Sequence, residues 1–436
     1  MDKRIVIVGA GVAGINAATK LVDNGYPGEL ITIIDKGNDP HNRLPEEVMT
    51  GMLGAGGWSD GKLTYHTAIG GQLSKYCGEN KAMELMKQVV DNFTRFHPKP
   101  EEIFCSDPQA EPDFIKPHFG LRLFPVWHIG SNYLHEIAKT WYQYLVDKGV
   151  KFIWNAEVDH ISFKDEEICG YNNVHQGKND NDVFQILYDE LIFAVGKSGI
   201  DFAQKLADDY QLPNEPKSVQ IGVRFEAPQK YFQKLIDISY DFKLYQKFDN
   251  VSLRSFCTNN NAAYVAVEET YGDVTYNGHA KKGEQFRNDM TNFGILMEIK
   301  GIEDPFEWSR KAVAKCQSNG TGLYFSPSRK PSITSEGVTV SAIQVDNLND
   351  FEDSLGEYSK YIMDFITKMN EVFQFGDDWG MYMLECKYLS PEPLVNYTNL
   401  ALTEYPNVHF VGDALSARGI TVSGAHGIYV AEYLLT

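Results

Sequence analysis

The sequence predicts an α/β protein in which a three-layer domain with a parallel sheet carries an inserted α+β domain built on a mostly antiparallel sheet. Two observations support this fold class. The chain begins with an apolar run that ends in a glycine cluster and leads into a helical segment, which is typical of the first strand, turn and helix of a parallel sheet. From about residue 218, short alternating segments rich in aromatic residues indicate antiparallel strands.

The glycine cluster has a defined spacing. The apolar run Arg4–Val8 is followed by Gly9, Gly11 and Gly14, in a G-x-G-x-x-G pattern, and then by residues 15–21 of helical composition. In such a unit Gly9 makes the tight turn, Gly11 lets the backbone approach a pyrophosphate, and Gly14 lets the helix pack close to the strand. The unpaired amides at the helix start then bind the phosphates.

A second apolar strand, residues 30–34, ends at Asp35. An acidic residue is expected about 20 positions after the fingerprint, where its carboxylate accepts hydrogen bonds from ribose hydroxyls. The alternative for Asp35 is a solvated strand end. Strand, fingerprint, helix and acid together predict a Rossmann-like domain that binds an adenine dinucleotide.

The end of the chain repeats this logic. Residues 407–411 form an apolar strand that runs into Gly412 and Asp413, and a second glycine-rich turn leads into a helix over residues 418–432. Asp413 at the end of a strand can accept a hydrogen bond from a ribityl hydroxyl. The amides of residues 421–424 would place a helix N-terminus beside a developing negative charge.

Two further glycine-rich segments lie between these ends. Residues 51–64 contain five glycines, which indicates close approach of the backbone to a ligand or a strand, and Ser59, Asp60, Lys62 and Thr64 are its polar groups. A strand over 190–195 meets glycines at 196–199 and a helix at 202–210, but it lacks a full fingerprint. We therefore predict no independent nicotinamide site there.

We predict three chain segments from these patterns. Residues 1–214 form the dinucleotide-binding domain, with a helical insertion at about 65–147. Residues 215–375 form the substrate domain, and residues 376–436 return to the first domain. Helices are predicted at 79–97 and 133–147, and a hairpin with an exposed loop is predicted over 164–182.

Composition excludes several functions. The formal net charge is −19, from 59 acidic and 40 basic residues, so the surface repels nucleic-acid backbones and anionic lipid. The six cysteines are scattered without a C-x-x-C, which favours reduced thiols in a cytoplasm and predicts no metal site. No apolar run is long enough to span a bilayer. We expect a cytoplasmic protein, in the host cytoplasm if the chain is viral, and the sequence leaves a homo-oligomer open.

The opening fingerprint, Asp35 and the terminal Gly412-Asp413 segment together resemble the two-domain FAD oxidoreductases of the glutathione-reductase and hydroxybenzoate-hydroxylase type. The chain is also similar to the family labelled FAD-dependent dehydrogenases, in residues 56–63, 194–198 and 221–229 and in Arg254–Cys257, although residues 258–261 depart from that family's pattern. The resemblance implies FAD as the cofactor. The residues it implies for cofactor binding are Gly9, Gly11, Gly14, Asp35, Val158, Gly196, Gly412, Asp413, Gly419 and Ile420.

A looser resemblance concerns the reaction. Flavin-dependent halogenases have a spaced Phe…Pro…Ser…Gly pattern near the route from flavin to substrate, and Phe325, Pro327, Ser335 and Gly337 can be read as this pattern. They also have a lysine that handles hypohalous acid, for which Lys62 or Lys330 is the candidate here. The W-x-W-x-I-P motif of tryptophan halogenases is absent, so the chain is similar to a divergent type such as that of marine phage.

Individual side chains keep two interpretations. Lys62 is either a lysine packed near the cofactor or a catalytic amine whose pKa burial lowers. His128 and His426 are either structural or pocket-lining. Arg224 and Arg254 lie in apolar strands, where they form an internal ion pair or grip an anionic substrate.

Three hypotheses follow. The first is an enzyme that uses reduced FAD and oxygen, with halogenation of an electron-rich aromatic small molecule at Lys62 as the favoured reaction and hydroxylation as another. A halide and a separate flavin reductase would be its partners. The second is a dehydrogenase or reductase that moves hydride between FAD and a small organic substrate. The third is a dinucleotide-binding protein without activity.

Overall fold

The computed structural model describes residues 3–45, 47–108, 110–177, 179, 182–215, 217–270, 273–280, 284–316, 323–325, 348–387 and 392–436, with the backbone alone at 215, 267–270, 273 and 323–325. The strands, in chain order, are β1 Ile5–Val8, β2 Ile31–Ile34, β3 Lys62–Thr64, β4 Phe104–Ser106, β5 Gly120–Leu123, β6 Val126–His128, β7 Lys151–Ile153, β8 Ala156–Ser162, β9 Glu167–Asn172, β10 Val183–Leu187, β11 Glu190–Phe193, β12 Asn214–Glu215, β13 Val219–Pro228, β14 Phe242–Lys247, β15 Val251–Asn261, β16 Ala263–Thr270, β17 Asp273–Ala280, β18 Met290–Ile299, β19 Leu323–Phe325, β20 Gly380–Cys386, β21 Glu392–Pro393 and β22 Val408–Phe410.

The α-helices, in chain order, are α1 Val12–Asp23, α2 Leu73–Cys77, α3 Glu79–Arg95, α4 Leu134–Asp147, α5 Ile200–Asp209, α6 Gln233–Ile236, α7 Pro305–Cys316, α8 Asn349–Leu355, α9 Ser359–Phe373 and α10 Ile420–Leu434. Within the described residues, no helix is both long and apolar enough to cross a bilayer. The predicted fold class is confirmed by the two main sheets.

The first main sheet is entirely parallel and has the strand order β22-β11-β1-β2-β7. Its central strand β1 reads Ile-Val-Ile-Val, and all four residues are buried because helices cover both faces of such a sheet. Helices α1 and α10 pack directly on each other beside it. Gly427 allows this contact, since a Cβ there would lie 2.0 Å from the carbonyl oxygen of Ala13.

The second main sheet is antiparallel and has the strand order β19-β20-β13-β18-β15-β14-β5. Its strands alternate in burial: along β15, Val251, Leu253 and Ser255 are buried, and the residues between them are half-buried. The buried residues face a hydrophobic cluster shared with α7, α8 and α9. The other face of this sheet is therefore directed away from that cluster.

The predicted elements were mostly correct, with one difference. The region 164–182, predicted as a hairpin and exposed loop, contains β9, which pairs antiparallel with its chain neighbours β8 and β10 in a three-stranded sheet. Strand β5 comes from the predicted helical insertion, yet it completes the antiparallel sheet beside β14. The sequence did not indicate this pairing because β5 and β14 are separated by more than a hundred residues. The predicted domain bounds stay a prediction.

Candidate active site

A cavity of about 950 Å³ lies between the two main sheets. It begins at the carboxyl ends of β1, β2 and β11 and ends at the face of the antiparallel sheet that carries β14 and β15. Open parallel sheets bind ligands at the carboxyl ends of their strands. The volume is at the upper end of the roughly 300–1,000 Å³ range of cofactor and substrate sites.

The three fingerprint glycines have different reasons to be glycine. Gly9 has φ +110°, and a Cβ there would lie 2.3 Å from the Ala194 carbonyl oxygen. A Cβ on Gly14 would lie 2.3 Å from the carbonyl oxygen of Gly9, so both residues are required by the fold itself. Gly11 has φ −67°, and the nearest atom to its Cβ would be 3.9 Å away. Gly11 lines the cavity, so only a ligand would need its side chain to be absent.

Asp35 lies at the end of β2 as predicted and lines the cavity. Its Oδ2 accepts a hydrogen bond from the amide of Ala10 at 2.8 Å, and its Oδ1 accepts from the amides of Gly37 and Gly51 at 2.8 and 2.7 Å. The carboxylate therefore joins its own turn to the fingerprint loop and to the glycine-dense segment. The sequence did not indicate this role, because the amides of Ala10 and Gly51 belong to segments distant from Asp35 along the chain.

Asp413 follows β22 and has no comparable partners. Both of its carboxylate oxygens are buried and accept no hydrogen bond within the described residues, although Arg418 Nε is 2.8 Å from Oδ1 as an ion pair. Burial raises the pKa of Asp413, and Arg418 opposes this shift. A buried carboxylate without hydrogen bonds is unfavourable unless a ligand supplies the donor.

The other residues implied for cofactor binding surround the same cavity. Val158, Gly196, Gly412, Gly419 and Ile420 all line it, whereas Gly14 does not, since it lies beneath Gly9. Helix α10 begins directly after Gly419, so its first amides and those of α1 both point toward the cavity. Two helix N-termini thus favour negative charge there.

The glycine-dense segment lies beside the fingerprint and leads to Lys62. Gly11 forms an isolated parallel bridge with Leu53, and the Leu53 amide donates to the carbonyl of Ala10 at 2.8 Å. Gly54 in this segment has φ +50°, a backbone conformation that favours glycine, and a Cβ on it would lie 3.4 Å from Gly11 Cα. The segment then turns into β3, where Lys62 begins the strand.

Lys62 is almost completely buried between the two sheets. Its ammonium donates to the Thr258 carbonyl at 2.5 Å and pairs with Asp60 at 2.9 Å, and Asp241 is 3.8 Å away. Burial acts to lower the pKa of Lys62, but the carboxylates of Asp241 and Asp60 outweigh it and raise the pKa. The predicted lowering of this pKa is therefore wrong, because both partner carboxylates are buried beside the amine.

Cys257 belongs to the same cluster. Its thiol donates to Asp60 at 3.0 Å, and burial together with Asp60 raises its pKa to about 11. The residue has φ +55° and lies where the register of β15 against β18 shifts. Asp60 has its pKa lowered to about 2, since the Lys62 ammonium outweighs the effect of burial.

The remaining candidates separate into lining and structural residues. Arg254 lines the cavity, whereas Arg224 is fully buried and pairs with Glu385 at 2.9 Å, the ion pair anticipated as one alternative. His426 is fully buried with its pKa lowered to about 3 by burial, and His128 packs its ring against Tyr240 at 5.0 Å. Neither histidine lines the cavity.

The halogenase-like pattern is placed only in part. The backbone of Phe325 ends β19, at the edge of the antiparallel sheet next to β20. Pro327, Ser335, Gly337 and the alternative lysine Lys330 lie outside the described residues. Their predicted roles stay a prediction.

Sequence reasoning missed one wall of the cavity. Lys243 and Tyr245 on β14 line it, together with Phe256 on β15 and Lys387 after β20. Strand β14 was not predicted, although Phe242 and Leu244 alternate with Lys243 and Tyr245 in the period-two pattern of a half-buried strand. That alternation is the signal that would have located this wall.

The residues fit an FAD molecule on two observations. Gly11 leaves open space where the backbone meets the cavity, as the pyrophosphate requires, and Asp413 presents buried oxygens that lack a hydrogen-bond donor. Gly11 and the start of α1 would hold the pyrophosphate. Asp413 and the start of α10 would hold the ribityl chain and the flavin ring.

No protein-family model matches the chain, and no curated protein matches its sequence. Among solved structures it is similar to a flavoprotein/dehydrogenase from Cytophaga hutchinsonii, at 11% identity over 99% of this chain and 78% of that one, with a TM-score of 0.44. It is similar to CmlS, a flavin-dependent halogenase, at 10% identity over 97% and 56%, with a TM-score of 0.41. The FAD complex of the glycerol-3-phosphate dehydrogenase from Bacillus halodurans has 10% identity over 99% and 64%, with a TM-score of 0.41. All three of these solved structures are of flavin-dependent or FAD-binding proteins.

Proposed function

We propose that this chain is an FAD-dependent oxidoreductase whose substrate reacts between the flavin and the antiparallel sheet. The observation that carries this proposal is the continuous cavity, which joins the fingerprint at Gly11, the carboxylate of Asp413 and the side chains of β14 and β15. When bound, FAD supplies electron transfer to or from the substrate or oxygen. The chain itself binds the phosphates, orients the flavin and excludes water with the second sheet.

The experiment that tests this function is a flavin assay on the purified chain. The protein is purified, loaded with FAD and separated from free flavin, and the visible absorbance of the retained flavin is measured per chain. We expect about one FAD per chain in the wild type. A protein that retains neither FAD nor another adenine dinucleotide would overturn the proposal.

For the reaction, we propose oxidation by reduced flavin and oxygen, with halogenation of an electron-rich aromatic as the favoured form. The Lys62 ammonium supports this, since two of its three N–H donors are used by Thr258 and Asp60 and Asp241 lies beyond hydrogen-bond distance. The remaining donor would hold hypohalous acid. In this mechanism Lys62 acts as an ammonium that donates a hydrogen bond.

Halogenation, hydroxylation and dehydrogenation are separated by one set of reactions. Protein with reduced FAD, oxygen, bromide, iodide and an electron-rich phenol is analysed by mass spectrometry, beside an anaerobic reaction with an organic hydride donor. Halogenated product that disappears in Lys62→Met, while the variant still binds FAD, supports halogenation. Hydroxylated product supports hydroxylation, and flavin reduction without oxygen supports the dehydrogenase.

A further inference from the structure

The cavity has the opposite charge balance to the chain as a whole. Ten lysine and arginine side chains and seven aspartate and glutamate side chains line it in the part of the chain that the structure describes. The whole chain has 40 basic and 59 acidic residues. A local excess of positive charge in an anionic protein draws anions into the cavity.

Most of the acidic groups in the cavity already have a cationic or hydroxyl partner. Asp60 pairs with Lys62, Glu392 pairs with Lys217 at 2.6 Å, and Glu298 accepts hydrogen bonds from two serine hydroxyls. These three acids therefore already have partners, and none of them forms an ion pair with Lys243 or Arg254 within the described residues, although Glu298 raises the pKa of Arg254 from a distance.

Lys243 on β14 and Arg254 on β15 are two of the lining cations for which no ion pair is found within the described residues. Within the described residues Lys243 makes no ion pair or hydrogen bond, and its Nζ lies 5.0 Å from the centroid of the Phe124 ring. Arg254 donates to the neutral side chain of Gln220 at 3.2 Å and likewise has no ion pair there. Burial lowers the pKa of each, although the carboxylate of Asp241 opposes this shift at Lys243 and that of Glu298 opposes it at Arg254. Two half-buried like charges side by side repel each other, and an anion bound between them would relieve that repulsion.

Two aromatic residues, Tyr245 on β14 and Phe256 on β15, lie next to these cations on the same face of the sheet. Tyr245 is paired directly with Arg254, so Lys243 and Arg254 are diagonal neighbours, typically about 7–8 Å apart in such a sheet. The Tyr245 ring lies against Gly120 and the Phe256 ring against Gly294, since a Cβ on either glycine would come within 2.2 Å of the ring. Cations and flat rings thus alternate across this wall.

We propose that the substrate is a carboxylic acid with a flat, apolar body, whose carboxylate is held by Lys243 and Arg254 while its body lies on Tyr245 and Phe256. A carboxylate fits better than a phosphate because this wall is made of strand backbone already paired in the sheet, without helix N-termini or free amides. The inference deepens the proposed function, because it assumes that the flavin faces this wall.

The test compares acids with their neutral amides. Phenylacetate and indole-3-acetate, and the corresponding acetamides, are titrated into FAD-loaded and FAD-free protein by calorimetry, with flavin absorbance as a second readout. We expect at least one acid to bind tenfold or more tighter than its amide. We expect Lys243→Met and Arg254→Met to weaken the acid roughly tenfold to a hundredfold and to leave the amide unchanged.

The controls separate charge, folding and cofactor. Lys234→Met removes an exposed lysine from α6 outside the cavity and should leave both affinities unchanged. Arg254→Lys keeps the charge and should recover much of the acid preference, and thermal unfolding of each variant excludes misfolding. Equal binding of acid and amide, no binding of any acid, tighter binding of phenyl phosphate than of phenylacetate, or an equal loss in Lys234→Met would each overturn the inference. If the chain binds no FAD, the proposed function fails, whereas titration of the FAD-free protein still decides the preference for acids.

Discussion

Two buried aspartates in the cavity illustrate how differently its regions are built. At the junction of the two sheets, Asp60 receives the Lys62 ammonium and the Cys257 thiol, and its pKa is lowered to about 2. At the cofactor end, Asp413 is paired with Arg418 but accepts no hydrogen bond in the described part of the chain, and burial raises its pKa. The first carboxylate is satisfied by the protein, and the second needs a ligand.

This difference assigns roles to the regions. A satisfied buried cluster joins chain segments, as Lys62 on β3 does by reaching Thr258 on β15 and Asp241 just before β14. An unsatisfied buried group marks a position where a ligand supplies the missing partner. Lys243 on β14 is half-buried and lines the cavity without an ion pair or hydrogen bond in the described residues, so in its lack of a partner it resembles Asp413 more than Lys62.

The largest effect on stability is expected at Lys62, where the protein itself supplies the partners of the buried charges. Lys62→Met leaves Asp60 and Asp241 buried without their cation, so we expect it to lower the free energy of unfolding by about 3–5 kcal/mol. Denaturant unfolding of the FAD-free protein measures this. Lys87→Met, which breaks the exposed pair with Asp91, is the control and should cost about 0–1 kcal/mol. An unchanged free energy of unfolding in Lys62→Met would mean that the junction of the two sheets is not stabilised by this cluster.

Two fingerprint glycines allow the same comparison within one motif, because Gly14 is required by the fold and Gly11 lines the cavity. Gly14→Ala places a Cβ 2.3 Å from the Gly9 carbonyl oxygen, and we expect a loss of about 1–3 kcal/mol in the FAD-free protein. Gly11→Ala has room in the FAD-free fold and should leave its stability unchanged or slightly higher. It should nevertheless weaken FAD binding by roughly tenfold or more, since the methyl group occupies the path of the pyrophosphate.

Thermal unfolding and FAD titration of both variants measure these effects. A destabilised Gly11→Ala protein would show that Gly11 is required by the fold. Unchanged FAD affinity in Gly11→Ala would contradict the placement of the pyrophosphate.

The lowered pKa of Asp60 predicts how stability changes at acid pH. Its folded pKa of about 2 is below its ordinary value of 3.8, so its contribution is present above pH 3.8 and is lost as the pH falls through about 2. The shift corresponds to about 2 kcal/mol. Denaturant unfolding at pH 6 and pH 2 should therefore show a smaller difference in Asp60→Asn than in the wild type. Equal differences in the two proteins would show that Asp60 is not held in its charged form.

The sequence predicted the strand ends that carry Gly9, Gly11, Asp35 and Asp413 well and the wall formed by β14 and β15 poorly, for a physical reason. Gly9, Gly11, Asp35 and Asp413 belong to short local patterns, in which the spacing along the chain already determines the geometry. The wall formed by β14 and β15 depends on the pairing of these two strands and on β5, which joins β14 from a distant segment of the chain. The sign of the Lys62 pKa shift also depends on Asp241, which lies 179 positions away along the chain.

Asp413→Asn gives the smallest effect and the sharpest test of the comparison. Because the buried carboxylate accepts no hydrogen bond in the FAD-free fold, removing its charge should change the free energy of unfolding by only about 0.5 kcal/mol or raise it slightly. FAD affinity should fall roughly tenfold, about 1.4 kcal/mol, since an amide is a weaker acceptor for a ribityl hydroxyl than a carboxylate. FAD titration and denaturant unfolding of the FAD-free protein measure the two quantities separately. A loss of stability comparable to that of Lys62→Met, with FAD affinity unchanged, would mean that Asp413 is held by Arg418 as firmly as Asp60 is held by Lys62. Unsatisfied burial would then no longer identify ligand positions in this cavity, and the assignment of Lys243 to a substrate carboxylate would lose its analogue at the cofactor end.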